Sequence, residues 1–321
     1  MTRKATIAAC IILLVSACEK KPEVSEPIAS KQPVLVSLSG IRYYEPEWPP
    51  RVKAKLDSNL VIAQRNFKND PSEENYIWLG RRLAYLYEYD SAIGVFSEGL
   101  QKYPESYKLL RHRGHRYITE RKFDDAIEDL ERAAELMKGL PLEPEPDGAP
   151  NKFNIQLSNT QFNVWYHLGL VHYLKGEFAK SEHAYLECLK VSNNDDLLAA
   201  TVDWLYMTYR RAGKHAEAKK LLSLIHDDMT IIENESYFLR LNLYRGKLKP
   251  EDVLNVSDTT EDADLNVATQ GYGVGNWYLV NGDTSMANDI FEKVVDGKHF
   301  SAFGFIAAEV ELIAAGSYKS R

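Results

Sequence analysis

The chain has 321 residues, 45% hydrophobic and 26% charged, with a formal net charge of −7. That composition excludes a disordered or fibrous chain and leaves room for one elongated domain or two compact ones. The acidic balance excludes a dedicated nucleic-acid binder, whose phosphate contacts need a basic field. Aromatic residues make up 11%, with 19 tyrosines among them. Many half-buried tyrosines suit an architecture with much surface per residue, such as a solenoid.

Arg3 and Lys4 give the N-terminus positive charge. The apolar run Ala5–Val15 is far too short for a membrane span of roughly 20 residues. It ends in Val15-Ser16-Ala17-Cys18, a motif that resembles the lipobox of bacterial lipoproteins. The resemblance implies that residues 1–17 are a signal peptide and that Cys18 is lipidated and becomes the first residue of the mature chain. With Glu19 following rather than Asp, it implies the bacterial outer membrane, facing the periplasm. Each buried acyl methylene contributes about 0.8 kcal/mol, so a multiply acylated cysteine anchors stably. Cys10 leaves with the signal, and Cys188 is then the one free thiol, so no intramolecular disulfide is expected. Residues 18–50 are polar and broken by Pro22, Pro27, Pro33, Pro46, Pro49 and Pro50. They read as a flexible tether. Val34–Leu38 could pair or dock, but carries no convincing strand pattern.

From Arg51 to Phe67, Val52, Leu56, Leu60, Val61 and Ala63 fall at helical spacing and predict a capping helix. An internal period follows. Gly80 and Gly114 are 34 residues apart, and so are Leu83 and Tyr117, Tyr89 and Phe123, Ala92 and Ala126, and Phe96 and Leu130. The first copy, with Leu79-Gly80, Leu83, Tyr89, Ala92, Phe96 and Pro104, closely resembles the tetratricopeptide repeat (TPR), a helix–turn–helix unit of 34 residues. The small residues let two helices approach, and Leu83 and Phe96 fill the space between hairpins. Pro104 ends the second helix, and Asp90 stands where it would cap the start. A third copy spans Phe162–Val191, after an insert at residues 139–161 rich in proline and polar groups. A fourth spans Ala199–Ile225, a weaker hairpin surrounds Tyr237–Leu254, and a sixth carries Gly275, Tyr278, Gly282, Ala287 and Phe291. Ser301–Ala314 reads as a closing helix. The resemblance covers about residues 73–300. It implies an all-α fold over residues 51–321, a TPR superhelix (an α-α solenoid of about five to six helix hairpins) with N- and C-terminal capping helices. First helices would line a concave face and second helices would face outward.

The same resemblance selects the side chains of that concavity, through the second, fifth, ninth and twelfth positions of each first helix and their neighbours. The first repeat supplies Glu74, Ile77, Trp78, Arg81 and Tyr85, and the second Lys108, Arg111, His112, His115 and Thr119. The third supplies Asn163, Tyr166, His167, Leu170 and Tyr173, and the fourth Asp203, Trp204, Met207, Arg210 and Arg211. A basic and aromatic lining on an acidic protein fits an acidic partner. The expected function is a membrane-anchored scaffold that binds a protein or peptide partner through this groove. The alternative is a receptor for a small acidic ligand or glycan, closed over by the insert above Arg111, His115, Tyr166 and Trp204. The first needs an open groove, and the second an insert packed across it.

Within Leu109–Arg121, Arg111, His112, Arg113, His115 and Arg116 crowd into six positions. Arg111 and His115 fall on the groove face. Arg113 and Arg116 fall on the packing side, where an unpaired buried charge costs several kcal/mol, so each must snorkel, find a carboxylate such as Glu74, Glu88 or Asp203, or reach a ligand, and pairing with a carboxylate is the stronger explanation. His112 and His115 share a helix face that His167 could join, but the surrounding arginines repel a cation and no metal is expected. Gly271-Tyr272-Gly273-Val274-Gly275 follows no strand, so it reads as helix packing rather than a nucleotide loop. Cys188 reads as a buried small apolar residue, and Asp258–Asp264 as a solvated acidic loop. No nucleophile elbow or paired-carboxylate spacing is present, so neither an enzyme nor a cofactor is expected. Ile77 and Arg81 stand where the carboxylate clamp of chaperone-binding TPR proteins needs lysine and asparagine, so that role is not implied.

Overall fold

A computed structural model describes residues 32–148, 150–254 and 263–317. Cys18, the signal segment and most of the acidic run Asp258–Asp264 lie outside these residues. The fold is an all-α solenoid. Helix α1 (Pro50–Asn69) precedes six helix pairs. These are α2 (Glu73–Tyr85) with α3 (Tyr89–Lys102), α4 (Tyr107–Thr119) with α5 (Phe123–Leu136), and α6 (Thr160–Leu174) with α7 (Phe178–Val191). Then come α8 (Asp195–Arg211) with α9 (His215–Leu221), α10 (Glu235–Tyr244) with the single turn α11 (Pro250–Val253), and α12 (Ala263–Val280) with α13 (Thr284–Asp296). Helix α14 (Phe303–Ala314) closes the described chain.

One packing device recurs in four of the pairs. A glycine on the first helix faces a large side chain sixteen positions later on the second. A Cβ on Gly80 would stand 2.3 Å from the Phe96 ring, one on Gly114 2.9 Å from Leu130, one on Gly169 2.8 Å from Tyr185, and one on Gly275 2.5 Å from Phe291. Any side chain there would push the helices apart and open the close-packed interior. The neighbouring glycines of α12 serve the same end. Gly271 meets Val294 of α13, and Gly273 lies under the Arg240 side chain from α10, so the glycine-rich stretch is helix packing. Helix starts are capped by Ser106, Asn159, Asn194 and Asp283, each accepting from the backbone three residues on. Asp90 does not cap α3. It sits inside the first turn, and the capping position belongs to Glu88, which makes no side-chain bond there.

Residues 33–48, expected to belong to a flexible tether, are instead packed on the solenoid. Strands β1 (Leu35–Val36) and β2 (Arg42–Tyr43) pair antiparallel around a turn whose Gly40 adopts a φ of 85°. Tyr43 stacks on Phe300 at 4.9 Å, Trp48 meets Tyr87 at 5.6 Å, and Leu35 is buried. The prolines forbid a helix here but do not prevent docking, because Leu35, Tyr43 and Trp48 have apolar surface to bury.

Helix α14 does more than close the stack. It packs on α12 and α13 and returns to α6. Its Glu309, 0% exposed, binds Arg121 at 2.9 Å through one carboxylate oxygen and accepts from the Leu38 amide at 3.0 Å through the other. Arg121 spends its remaining nitrogens on the Thr119 and Phe300 carbonyls. Arg121 occupies the turn between α4 and α5 with φ 61°, and Tyr87 holds the matching place one repeat earlier with φ 63°. The later turns use Gly176, Gly213, Gly246 and Gly282 in that left-handed conformation. An L-residue there costs about 1–2 kcal/mol, so glycine is given up only at the two turns whose side chains reach the returning C-terminal segment. Arg121→Ala should lower the unfolding free energy by about 3–5 kcal/mol, since it strands a buried carboxylate. Arg121→Gly should recover only about 1 kcal/mol of that loss. Urea titration of both variants checks this, and a loss below about 1 kcal/mol for Arg121→Ala contradicts the closure.

Candidate ligand-binding face

The first helices do bring the expected residues together, but most of that face is covered by the chain itself. Helix α4 presents Arg111 inward, 7% exposed. One guanidinium nitrogen lies 2.9 Å from Glu145 of the insert, and another donates to His112 Nδ1 at 2.9 Å. His112 therefore carries its proton on Nε2, which faces Glu145 at 4.0 Å. Glu143 accepts from Tyr107 and Lys108. Arg81 donates to the Pro146 carbonyl at 2.7 Å, and Arg82 to the Gly148 carbonyl at 3.2 Å. The two limbs of the insert hold each other through Glu145 N to Ser158 O at 3.0 Å and Thr160 N to Glu143 O at 2.9 Å. The segment Glu143-Pro144-Glu145-Pro146 thus lies on the basic face as an extended acidic strand.

Deeper along the face, α14 takes over. His115 packs, with its ring tilted, against His167 at 4.4 Å and against Phe303 at 5.2 Å, and His167 meets Phe303 edge-on at 5.4 Å. Asn163 O accepts from His167 Nδ1, while the Asn163 amide donates to Ser158. Tyr166 and Tyr237 share a hydrogen bond of 2.7 Å. Tyr173 accepts from Tyr272 at 2.7 Å and donates to Asn276 at 3.2 Å. Trp204 stacks on Tyr272 with centroids 5.8 Å apart. Asp203 holds Arg240 through two bonds of 3.0 and 2.7 Å. Arg210 donates to the Val280 carbonyl, and Arg211 pairs with Glu311 of α14. Thr119, Leu170 and Met207 are fully buried. The expected open groove is therefore filled. The side chains that the resemblance to the TPR selected as inward-facing lie near one another, but the C-terminal segment and the insert bury most of them.

What stays accessible is the end formed by α2 and α4. A cleft of about 250 Å³ is lined by Glu73, Glu74, Ile77, Trp78, Arg81, Lys108, His112, the insert residues Glu143–Pro146 and Thr160. Arg81 and Arg82 lie over the Trp78 ring at 4.5 and 4.8 Å, and Tyr85 adjoins Arg81 at 3.4 Å. Each such cation–π contact contributes about 0.5–1 kcal/mol at an exposed site and fixes the ring's orientation.

The packing-side arginines part company. Arg113 makes a two-pronged pair with Asp129, 2.7 Å at each oxygen, and donates to Ser97 at 3.0 Å. Its partner is thus Asp129 on its own hairpin rather than Glu74, Glu88 or Asp203. Arg116 finds no ion-pair partner among the described residues and lies 5.7 Å over the Tyr89 ring, which corrects the expectation of a carboxylate. Burial pulls Arg111 down to about 10, so it remains charged at neutral pH beside Glu145. Burial, then the neighbouring arginines, hold His112, His115 and His167 well below the ordinary histidine value, and all three are neutral. Among the described residues no group of three His, Cys, Asp or Glu side chains is arranged to hold a metal ion. Cys188 is buried beside Thr201, and burial pushes its thiol up to about 12, so it is not a nucleophile. Sequence reading missed Arg121, Glu309 and Arg240. Only Arg121 left a signal, an arginine at a turn position where the later repeats carry glycine.

Residues 162–195 match the Tetratricopeptide repeat family, a segment covering α6, α7 and the start of α8. The chain therefore contains a tetratricopeptide repeat, in the third of its helix pairs. No curated protein matches the sequence. Among solved structures, a tetratricopeptide repeat protein from Parabacteroides merdae is similar with a TM-score of 0.47 and 13% identity, over 81% of this chain and 93% of that one. YrrB, described as a TPR protein with an unusual peptide-binding site, is similar with a TM-score of 0.41 and 12% identity, over 78% of this chain and 97% of that one.

The neutral histidines make stability depend on pH. Their folded-state values lie below the unfolded value of about 6.5, so their contribution is complete above that pH and is lost as pH falls below it. Each histidine that only the unfolded chain protonates removes about 1.4 kcal/mol per pH unit. Urea midpoints should fall steeply from pH 6.5 to 5, and His115→Asn should flatten the slope. Midpoints that hold level across that range contradict the neutral cluster.

Proposed function

We propose that this chain is a lipid-anchored scaffold of the bacterial outer membrane, tethered through Cys18 in the periplasm, which binds an acidic segment of a protein partner at the α2–α4 end of its inner face. The observation that carries this reading is the cleft at Trp78, where Arg81 and Arg82 flank a half-exposed ring without an ion-pair partner among the described residues. The insert supports it by example. Its glutamates satisfy Lys108 and Arg111 in an extended conformation, so the face already accepts acidic, proline-spaced backbone. A partner segment lying beside that strand would meet Arg81, Trp78 and Tyr85, and charge complementarity would set its orientation and raise its association rate.

A second reading, a receptor for a small acidic ligand or glycan, draws support from the insert lying across Arg81, Arg82 and Arg111. The two readings part on size. A peptide partner leaves the cleft at both ends, whereas a small ligand stays within its volume.

Capture of partners from envelope extract on the immobilised full chain tests the scaffold reading. Trp78→Ala with Arg81→Glu should remove the retained protein, while Lys219→Glu on α9 should leave it in place. A retained set identical for all three chains contradicts binding at this cleft. For the anchor, Cys18→Ala should move the protein from the membrane pellet to the soluble fraction. Unchanged sedimentation would exclude lipidation at that residue.

A further inference from the structure

In the early repeats the second helix of one pair packs on the first helix of the next, α3 on α4, α5 on α6 and α7 on α8. The junction after α9 departs from that rule. Helix α9 has seven residues, and α10 packs on α8 and α12. A cleft of about 770 Å³ is left between α9, the C-terminal turn of α8 and the end of α10. It shares no lining residue with the Trp78 cleft, so what binds here is independent of any partner there. Tyr206 and Tyr244, both buried, stack in its wall at 4.3 Å. Leu222 and Ile225 add apolar surface beside them.

No carboxylate lines this cleft, and cations come to it from three helices. Arg210 of α8 donates to the Tyr206 hydroxyl at 2.9 Å, to the Val280 carbonyl at 2.9 Å and to the Asn281 side-chain oxygen at 3.0 Å. These acceptors are neutral, so they orient the guanidinium without cancelling its charge. The adjacent Arg211 is paired with Glu311, whereas Arg210 has no ion-pair partner among the described residues. Arg245, at the end of α10, pairs with Asp227 at 2.9 Å, but that carboxylate is shared with Lys247, and the group keeps a net positive charge. His215 and Lys219 are four positions apart and share one face of α9, both exposed. Glu217, the acidic residue of α9, does not line the cleft. On a chain of net charge −7 the cleft is a local reversal of sign.

We propose that this cleft binds a small polyanion, a molecule carrying two or more carboxylate or phosphate groups. Guanidinium forks match the oxygens of either group. Cations converging from three helices favour a ligand with more than one negative charge and raise its local concentration. The anionic groups sit on Arg210, Lys219 and Arg245, and the body of the molecule lies against the Tyr206–Tyr244 stack. The volume falls within the range of about 300–1,000 Å³ found for small-molecule pockets, which suits a single compact ligand.

Isothermal titration of the purified full chain with sodium citrate, sodium pyrophosphate, sodium acetate and glucose tests this. Citrate or pyrophosphate should bind saturably at one site, and the tighter of the two identifies the anionic group that the cleft takes. Acetate and glucose should bind more weakly by about tenfold or more. Lys219→Glu, at an exposed position that tolerates substitution, and Arg210→Gln should each weaken the polyanion by about tenfold or more. Trp78→Ala with Arg81→Glu makes the same charge change at the other cleft as Lys219→Glu does here, and should leave the affinity unchanged. Thermal melts establish that each variant is folded. Saturable binding of neither polyanion overturns the proposal. Acetate binding as tightly as citrate overturns the assignment of more than one charge. Binding that survives Lys219→Glu, or that is lost only with the Trp78 and Arg81 substitutions, overturns the location.

Discussion

The buried ion pair between Arg121 and Glu309 is the contact on which the inner architecture depends. Two charges withdrawn from water lose several kcal/mol of hydration each, and only short, saturated bonding offsets that. Here the bonding is close to saturated. Both oxygens of Glu309 are used, one by Arg121 and one by the Leu38 amide, and Arg121 reaches two carbonyls besides. Three parts of the chain are thereby held at one point: the N-terminal hairpin, the α4–α5 turn and the C-terminal helix. A solenoid whose last helix is held against its early repeats cannot present the long open channel that its repeats would otherwise form.

The rest of the interior follows from that closure. Once α14 and the insert cover the first helices, every polar group on them needs a partner within the protein. The chain answers with charge pairs at Arg111–Glu145, Arg211–Glu311 and Asp203–Arg240, and with tyrosine hydroxyls bonded to one another. The histidines answer differently, by giving up their charge. Burial disfavours the protonated ring, and the arginines beside it add repulsion. Partner-free polar atoms are correspondingly few among the described residues, and the indole nitrogen of Trp204 is one of them.

Much of the site was legible in the sequence as a list and little of it as a surface. The resemblance to the TPR placed Arg111, His115, Tyr166, His167 and Trp204 on one face, and the first helices bring them to the same side of the solenoid. It could not show that Phe303 would pack on His115 and His167, because those contacts join positions 188 and 136 residues apart and follow no period. The division of the α4 arginines was legible only in part. Arg113 pairs as its packing-side place requires, through Asp129, whereas Arg116 rests over an aromatic ring. Gly275 of α12 was legible, since it holds the repeat's packing position, whereas the contact of Gly273 with Arg240 of α10 was not.

Local and periodic features, then, were determined by the sequence alone. Helix pairs follow from apolar spacing and from glycines set sixteen positions before large side chains, because both act within one hairpin and need no distant partner. The tertiary structure decided which faces meet water. That choice rests on single long-range contacts, the Arg121–Glu309 pair and the seating of Glu145 on Arg111. Each is strong enough to move a whole segment, and neither leaves a repeating trace in the chain.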